Sequence, residues 1–121
     1  KHADQQSLFD IARSISANTE KAKDGKLSSG DMSHTGISIT NIGSVGGGFF
    51  TPIINFPEVA ILGIGKISPE PVVVDGEVKS ARVLKLTMAF DHRVIDGATA
   101  QRAVNRLKEL LGDPELLLME G

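Results

Sequence analysis

Two residues, Asp75 and Gly76, divide the stretch PVVVDGEVKSARVLKLTMAF (71–90) into two β-rich arms. A two-residue Asp-Gly loop has the backbone twist that paired strands require, because both positions can take positive φ. The dipeptide therefore predicts an antiparallel hairpin. In its second arm Leu84, Leu86, Met88 and Phe90 share one face, while Val83, Lys85, Thr87 and Ala89 share the other. The run EVAILGIGKI (58–67) ahead of it is nearly continuously apolar, broken by glycines, and predicts a separate strand buried on both faces. In GISITNIG (36–43), Ile37, Ile39 and Asn41 alternate with Ser38 and Thr40, which predicts a further strand.

Helices are expected at both ends. Leu8, Ile11, Ala12 and Ile15 recur at helical spacing within 4–23, with Asp4 as the expected cap. Ala100, Ala103, Val104, Leu107, Leu110 and Leu111 mark a second helix, stopped by Gly112 and Pro114. The segment SVGGGFFTPIINFP (44–57) holds three consecutive glycines and two prolines and forbids regular structure. A phosphate cradle there needs a helix start or a P-loop lysine, and neither follows; a tight backbone crossing or a mobile loop is expected instead. The order helix, strand, strand, hairpin, helix predicts an α+β sandwich, with helices on a mainly antiparallel sheet.

The 121 residues suffice for one domain with a modest core. A net charge of −2 gives no basic patch, so neither nucleic acid nor an anionic membrane is an expected partner. Lys21, Lys23 and Lys26 are offset by Glu20 and Asp24. No apolar run is long enough to span a bilayer and no signal peptide is visible. The absence of cysteine excludes disulfides, thiolate metal sites and a cysteine nucleophile, and fits a cytoplasmic location. The chain starts without Met and is expected to come from inside a longer gene product, or to be trimmed.

The stretch FDHRVIDGATAQ (90–101) is where the period changes from strand to helix. Asp96 stands where an aspartate caps a helix, and Gly97 suits a helix entry needing close backbone approach. His92 could be a core histidine. His92 and Asp96 supply only two metal ligands, at a spacing unsuited to a strand-to-helix bend, so no metal is expected. The alternative is chemical. A loop held between a strand and a helix is a rigid support for a base, and imidazole, with an unperturbed pKa of about 6.5, can deprotonate a hydroxyl or a thiol.

DHRVIDGATA carries the His-x-x-x-Asp-Gly signature of the dihydrolipoamide acyltransferases, the core components of 2-oxo acid dehydrogenase complexes, and the chain resembles that family. ITNIGSVGGGFFTPIINFPEVAILGIGKI is similar to its central segment and DPELLLMEG to its carboxy terminus. The wording is nearest to the acetyltransferases of pyruvate dehydrogenase complexes from Gram-positive bacteria. The resemblance implies a chloramphenicol acetyltransferase-like fold. It makes His92 the general base for a thiol, Thr40 the donor to the oxyanion, and Asp96 an organiser of the loop and of the His92 orientation. Asp91 and Arg93 are expected to form ion pairs nearby.

The implied substrates are coenzyme A and an acyl-dihydrolipoyl group, carried by a lipoyl domain, with no metal. The implied partners are two further copies in a homotrimer, with His92 and Thr40 from neighbouring chains, and an octahedral or icosahedral core built from trimers. The apolar tail 116–119 would dock on an adjacent trimer or fold back on the last helix. The resemblance makes residues 1–121 the carboxy-terminal part of a catalytic domain, lacking a preceding stretch that supplies coenzyme A contacts. The piece alone is then expected to be inactive or nearly so. Two alternatives follow: a non-enzymatic assembly module of the core, and a chloramphenicol-type resistance acetyltransferase, which the tail and FTPIIN block disfavour.

Overall fold

The computed structural model describes residues 2–33 and 35–120. Three strands form one sheet in the order β1-β2-β3: β1 Ser38–Asn41, β2 Ala60–Val74 and β3 Glu77–Phe90. The helices are α1 Leu8–Lys23, α2 Gly97–Gly112 and α3 Pro114–Glu120. Two compact units can be distinguished, Lys1–His34 with Leu110–Gly121, and Thr35–Glu109. The second holds the sheet. The architecture is α+β, as the sequence predicts.

The hairpin is the backbone of the second unit. Val74 pairs with Glu77 across Asp75 and Gly76, whose φ values of 54° and 80° are those of the predicted turn. The pairing runs antiparallel from there to Ala60 opposite Phe90. β1 pairs parallel to β2, with Thr40 opposite Gly63, so the sheet is mixed but mainly antiparallel.

β2 differs from expectation. The predicted strand 58–67 and the predicted hairpin arm that starts at Pro71 are one continuous strand. Pro69 and Pro71 do not interrupt it, because β1 reaches only as far as Ile64. Beyond that point one side of β2 is an edge, where a residue without an N–H costs no ladder bond. Burial on both faces is confined to the inner end. Ala60 and Ile61 are buried, whereas Lys66 and Ile67 are exposed.

The glycine-rich loop is the predicted tight crossing. A bulge interrupts the β2–β3 register between Ile64 and Ile67, and the freed Lys66 N–H donates to the Gly47 carbonyl at 2.6 Å. A Cβ on Gly65 would collide with the Gly48 carbonyl, and one on Gly43 with the Gly65 carbonyl. Gly63 is bare for the same reason, since the Phe50 ring lies against it.

The amino-terminal helix also starts later than predicted. Ala3–Gln5 is a single 3₁₀ turn containing Asp4, and Ser7 is the cap of α1, its Oγ accepting from the Asp10 N–H. Ser7 Oγ also donates to Asp10 Oδ2 at 2.6 Å, so serine and aspartate three positions apart close the first turn together. The apolar stripe of α1 is open: Leu8 and Ile15 are 63% and 62% exposed. α3 is capped by Asp113 Oδ1, which accepts from the N–H groups of Glu115 and Leu116.

Candidate active site

β3 ends at Phe90, and the next six residues carry the chain into α2. Asp91 secures the first half of this loop. Its N–H donates to the Val59 carbonyl at 2.8 Å, and its own carbonyl accepts from Val94 and Ile95. Its carboxylate accepts from the Arg93 N–H and from the Arg93 guanidinium through Nε and Nη2. Those Arg93 hydrogen bonds, with its charge adding to them, pull the Asp91 carboxyl down to about 2 against the desolvation that opposes them. The predicted Asp91–Arg93 ion pair is therefore present.

Asp96 secures the second half. Oδ1 accepts from the Thr99 N–H at 2.7 Å and Oδ2 from the Thr99 hydroxyl at 3.2 Å. The backbone and side-chain hydrogen bonds of Thr99 lower its pKa, with the His92 charge a minor contributor. Asp96 thus organises the loop as the cap of α2. Gly97 has open space where a Cβ would lie, so the close approach predicted for it is not observed. Its place at the head of the helix needs no steric explanation.

His92 stands between these two clamps with its side chain exposed. Its ring is tilted 40° against the Phe90 ring, centroids 5.6 Å apart. Phe90 lines an open cavity of about 350 Å³ together with Phe49, Leu86, Met88, Ala100 and Val104. Ala100, one turn into α2, is buried. Residues of the first turns of α2 and of the end of β3 thus line the same cavity.

Thr40 lies on β1, half-buried on the same side of the strand as Ser38. The register puts Thr40, Gly63 and Thr87 in one row across the sheet. His92 is five residues beyond Thr87, in the loop that follows the end of β3 at Phe90. With about 4.8 Å between strands and 3.3 Å per residue, Thr40 and His92 of one chain are on the order of 15–20 Å apart. One chain does not bring the two together. No group of three or more His, Asp or Glu side chains suited to a metal occurs among the described residues.

One polar residue carries more than its sequence position suggested. Glu58 is 7% exposed, and its Oε1 accepts from the Thr35 hydroxyl, 23 positions earlier. The Thr35 bond foremost, then Ser38, holds the Glu58 carboxyl below the usual carboxylate range. Oε2 is buried without a partner in hydrogen-bond geometry among the described residues. In the sequence Glu58 stands only as the first residue of an apolar strand. The available signal was an acid heading a run destined for burial.

Residues 1–119 match the family model described as 2-oxoacid dehydrogenases acyltransferase (catalytic domain). The chain is 58% identical over its whole length to the dihydrolipoyllysine-residue acetyltransferase component of the pyruvate dehydrogenase complex of Staphylococcus epidermidis, and spans 28% of that protein. Among solved structures, it superposes on the dihydrolipoamide acetyltransferase of Azotobacter vinelandii with a TM-score of 0.88 and 44% identity, over 95% of this chain and 47% of that one. That structure belongs to an investigation of a serine, a histidine and an asparagine in the catalytic mechanism. The serine-to-histidine interval there equals the interval from Thr40 to His92, and the histidine-to-asparagine interval equals that from His92 to Asp96. The cubic core of a pyruvate dehydrogenase multienzyme complex matches with a TM-score of 0.88 and 43% identity, over 95% of this chain and 47% of that one.

Proposed function

Because this chain belongs to the 2-oxoacid dehydrogenase acyltransferase family, we propose that it forms part of the catalytic domain of an acetyltransferase that moves an acetyl group between the dihydrolipoyl group of a lipoyl domain and coenzyme A. The observation that carries this reading is the pair of equal intervals. Thr40, His92 and Asp96 stand at the spacing of the serine, histidine and asparagine studied in the catalytic mechanism of the Azotobacter acetyltransferase. Threonine keeps the hydroxyl of serine. Aspartate in place of asparagine keeps the acceptor oxygens that cap α2 here.

The proposed steps are these. The His92 imidazole takes the proton of the coenzyme A thiol. A free thiol has a pKa of about 8.5 and is mostly protonated at neutral pH, so a base is useful. The sulfur attacks the thioester carbonyl, and the carbonyl oxygen becomes an oxyanion that accepts a hydrogen bond from the Thr40 hydroxyl. Collapse breaks the bond to the dihydrolipoyl sulfur, which recovers the proton from the imidazolium. One thioester replaces another, so the transfer is reversible and needs neither metal nor redox cofactor. Positioned general-base catalysis contributes roughly 10²–10⁴-fold.

The separation of Thr40 and His92 within one chain supports a site completed by a second copy, each chain giving His92 to one neighbour and Thr40 to the other. The closed arrangement of such head-to-tail contacts is a ring, here a homotrimer, with trimers building an octahedral or icosahedral core. Leu118 and Met119, 72% and 82% exposed on α3, suit the contact between trimers. The reading places the complex in the cytoplasm.

The test uses the full-length polypeptide that contains this sequence, assayed for acetyl transfer from acetyl-dihydrolipoamide to coenzyme A. His92→Ala and Thr40→Ala are each expected to be strongly impaired. Dissociated, mixed and reassembled, they are expected to recover about a quarter of parental activity, because one interface in four then pairs an intact histidine with an intact threonine. No recovery in properly assembled mixtures rejects the shared site. Full activity of His92→Ala alone rejects the acyltransferase chemistry and leaves a structural assembly module as the reading.

A further inference from the structure

β1 has four residues and pairs on one side only, with the inner end of β2. Four ladder positions at a sheet edge are a weak mounting for a group that must be aimed, because edge strands lack the second row of bonds that fixes an interior strand. The leading end of β1 is also tied to Glu58, whose carboxyl pKa is lowered by hydrogen bonds from Thr35 foremost and then from Ser38. Three residues before Ser38, Thr35 donates its hydroxyl proton to Glu58 Oε1. This bond joins residues 23 positions apart, whereas most of the side-chain hydrogen bonds span four residues or fewer.

Glu58 occupies a particular place. It is buried, it sits two residues ahead of β2, and its neighbour Val59 accepts the Asp91 N–H that begins the His92 loop. The dipeptide Glu58-Val59 therefore binds the lead of β1 with its side chain and the His92 loop with its backbone. Burying a carboxylate is unfavourable unless hydrogen bonds compensate, and at Glu58 those from Thr35 and Ser38 outweigh the desolvation. An apolar side chain would avoid that cost but could not accept from Thr35.

We propose that Glu58 is a positioning residue, which through the Thr35 hydroxyl sets the depth of β1 and so the aim of the Thr40 hydroxyl at the oxyanion. It does not touch substrate. This rests on the reading of Thr40 as the oxyanion donor. Hydrogen-bond donation to a developing charge depends on placement at the level of an ångström, and a small shift of the donor lowers kcat while substrate binding persists.

The experiment is a double-mutant cycle in the full-length polypeptide, with assembly checked by sedimentation. Thr35→Val removes the donor at nearly constant shape, and is expected to lower kcat about tenfold with KM for acetyl-dihydrolipoamide within about twofold. Thr35→Ser restores kcat by restoring the hydroxyl, and Glu58→Gln, which keeps an acceptor oxygen, stays within about threefold of the parent. In a Thr40→Ala background, Thr35→Val is expected to cost nothing more, because the group it aims is gone. A Thr40→Ala variant as active as the parent overturns the oxyanion reading and this inference with it. If Thr40→Ala is impaired but Thr35→Val keeps full kcat, raises KM instead, or loses as much in either background, the oxyanion reading stands and the positioning role falls. Should Thr35→Val fail to assemble, Glu58→Gln and Glu58→Met in the same cycle decide it, with Met expected to lose kcat only where Thr40 is present.

Discussion

The strand that carries Thr40 and the loop that carries His92 leave the same end of β2, yet they are held in opposite ways. The His92 loop is fastened chiefly by its own neighbours, with one distant bond from the Asp91 N–H to the Val59 carbonyl: Arg93 grips Asp91 two positions away, and Asp96 receives Thr99 three positions away. The Thr40 strand is fastened from far off, by ladder bonds to residues more than twenty positions later and by Thr35 on Glu58. Local fastening survives modest changes elsewhere in the fold. Distant fastening requires the glycine crossing, the bulge and the buried end of β2 to be right at once. A loop that must keep a base still for proton transfer gains from the first arrangement. A donor that must meet substrate from a neighbouring copy depends on the second.

The comparison can be broken or sharpened experimentally, and the largest effect is expected at the histidine. His92→Ala in the full-length polypeptide should lower acetyl transfer by about 10²–10⁴-fold while the assembly keeps its size by light scattering. Next is the hydroxyl. Thr40→Ala should lower kcat by about 10²–10³-fold, equivalent to roughly 2.7–4 kcal/mol, and Thr40→Ser should be mild. Equal losses in both variants would remove the hydroxyl from the chemistry.

Two glycines then compare the supports without touching either side chain. Gly65→Ala drives a methyl group into the Gly48 carbonyl beneath the distant side, and should destabilise by about 1–3 kcal/mol in urea unfolding. Gly97→Ala meets open space at the head of α2, and should be neutral or stabilise by a few tenths of a kcal/mol. A reversed order would mean that the His92 side is the more tightly packed of the two.

The cap gives a smaller change. Asp96→Ala should cost about 1 kcal/mol, and Asp96→Asn only a few tenths, since asparagine also accepts from the Thr99 N–H. Smallest is the acid limb. Asp91 has its pKa depressed from 3.8 to about 2, so its contribution is complete above about pH 4 and disappears as pH falls through about 2. Asp91→Asn should therefore flatten the stability profile between those values and lower stability near neutrality, where the carboxylate's contribution is complete.

Particular residues explain what could be read without coordinates. Asp75-Gly76 announced its turn because both φ requirements are properties of the two residues themselves. Asp96 announced a cap because its partner is three positions away. Asp4 misled because Ser7 with Asp10 forms the better closed turn slightly later. The prolines at 69 and 71 misled more. A proline within an apolar run reads as a strand end unless it is known which side of the strand lies open, and that depends on where β1 stops. Glu58 gives no local signal of its role for the same reason, its partner being 23 positions away.

Residue types and short spacings by themselves determined the hairpin, the helix stripes, the cap at Asp96 and the strand-to-helix loop around His92. Each rests on contacts within a few residues, where geometry follows directly from backbone preference. The tertiary structure alone decided that β2 runs unbroken past its prolines, that Glu58 anchors the lead of β1, and that Thr40 and His92 of one chain lie too far apart to act together. Those outcomes depend on which distant segments close against each other, and the entropy of closing a long loop leaves no mark on the residues at its ends.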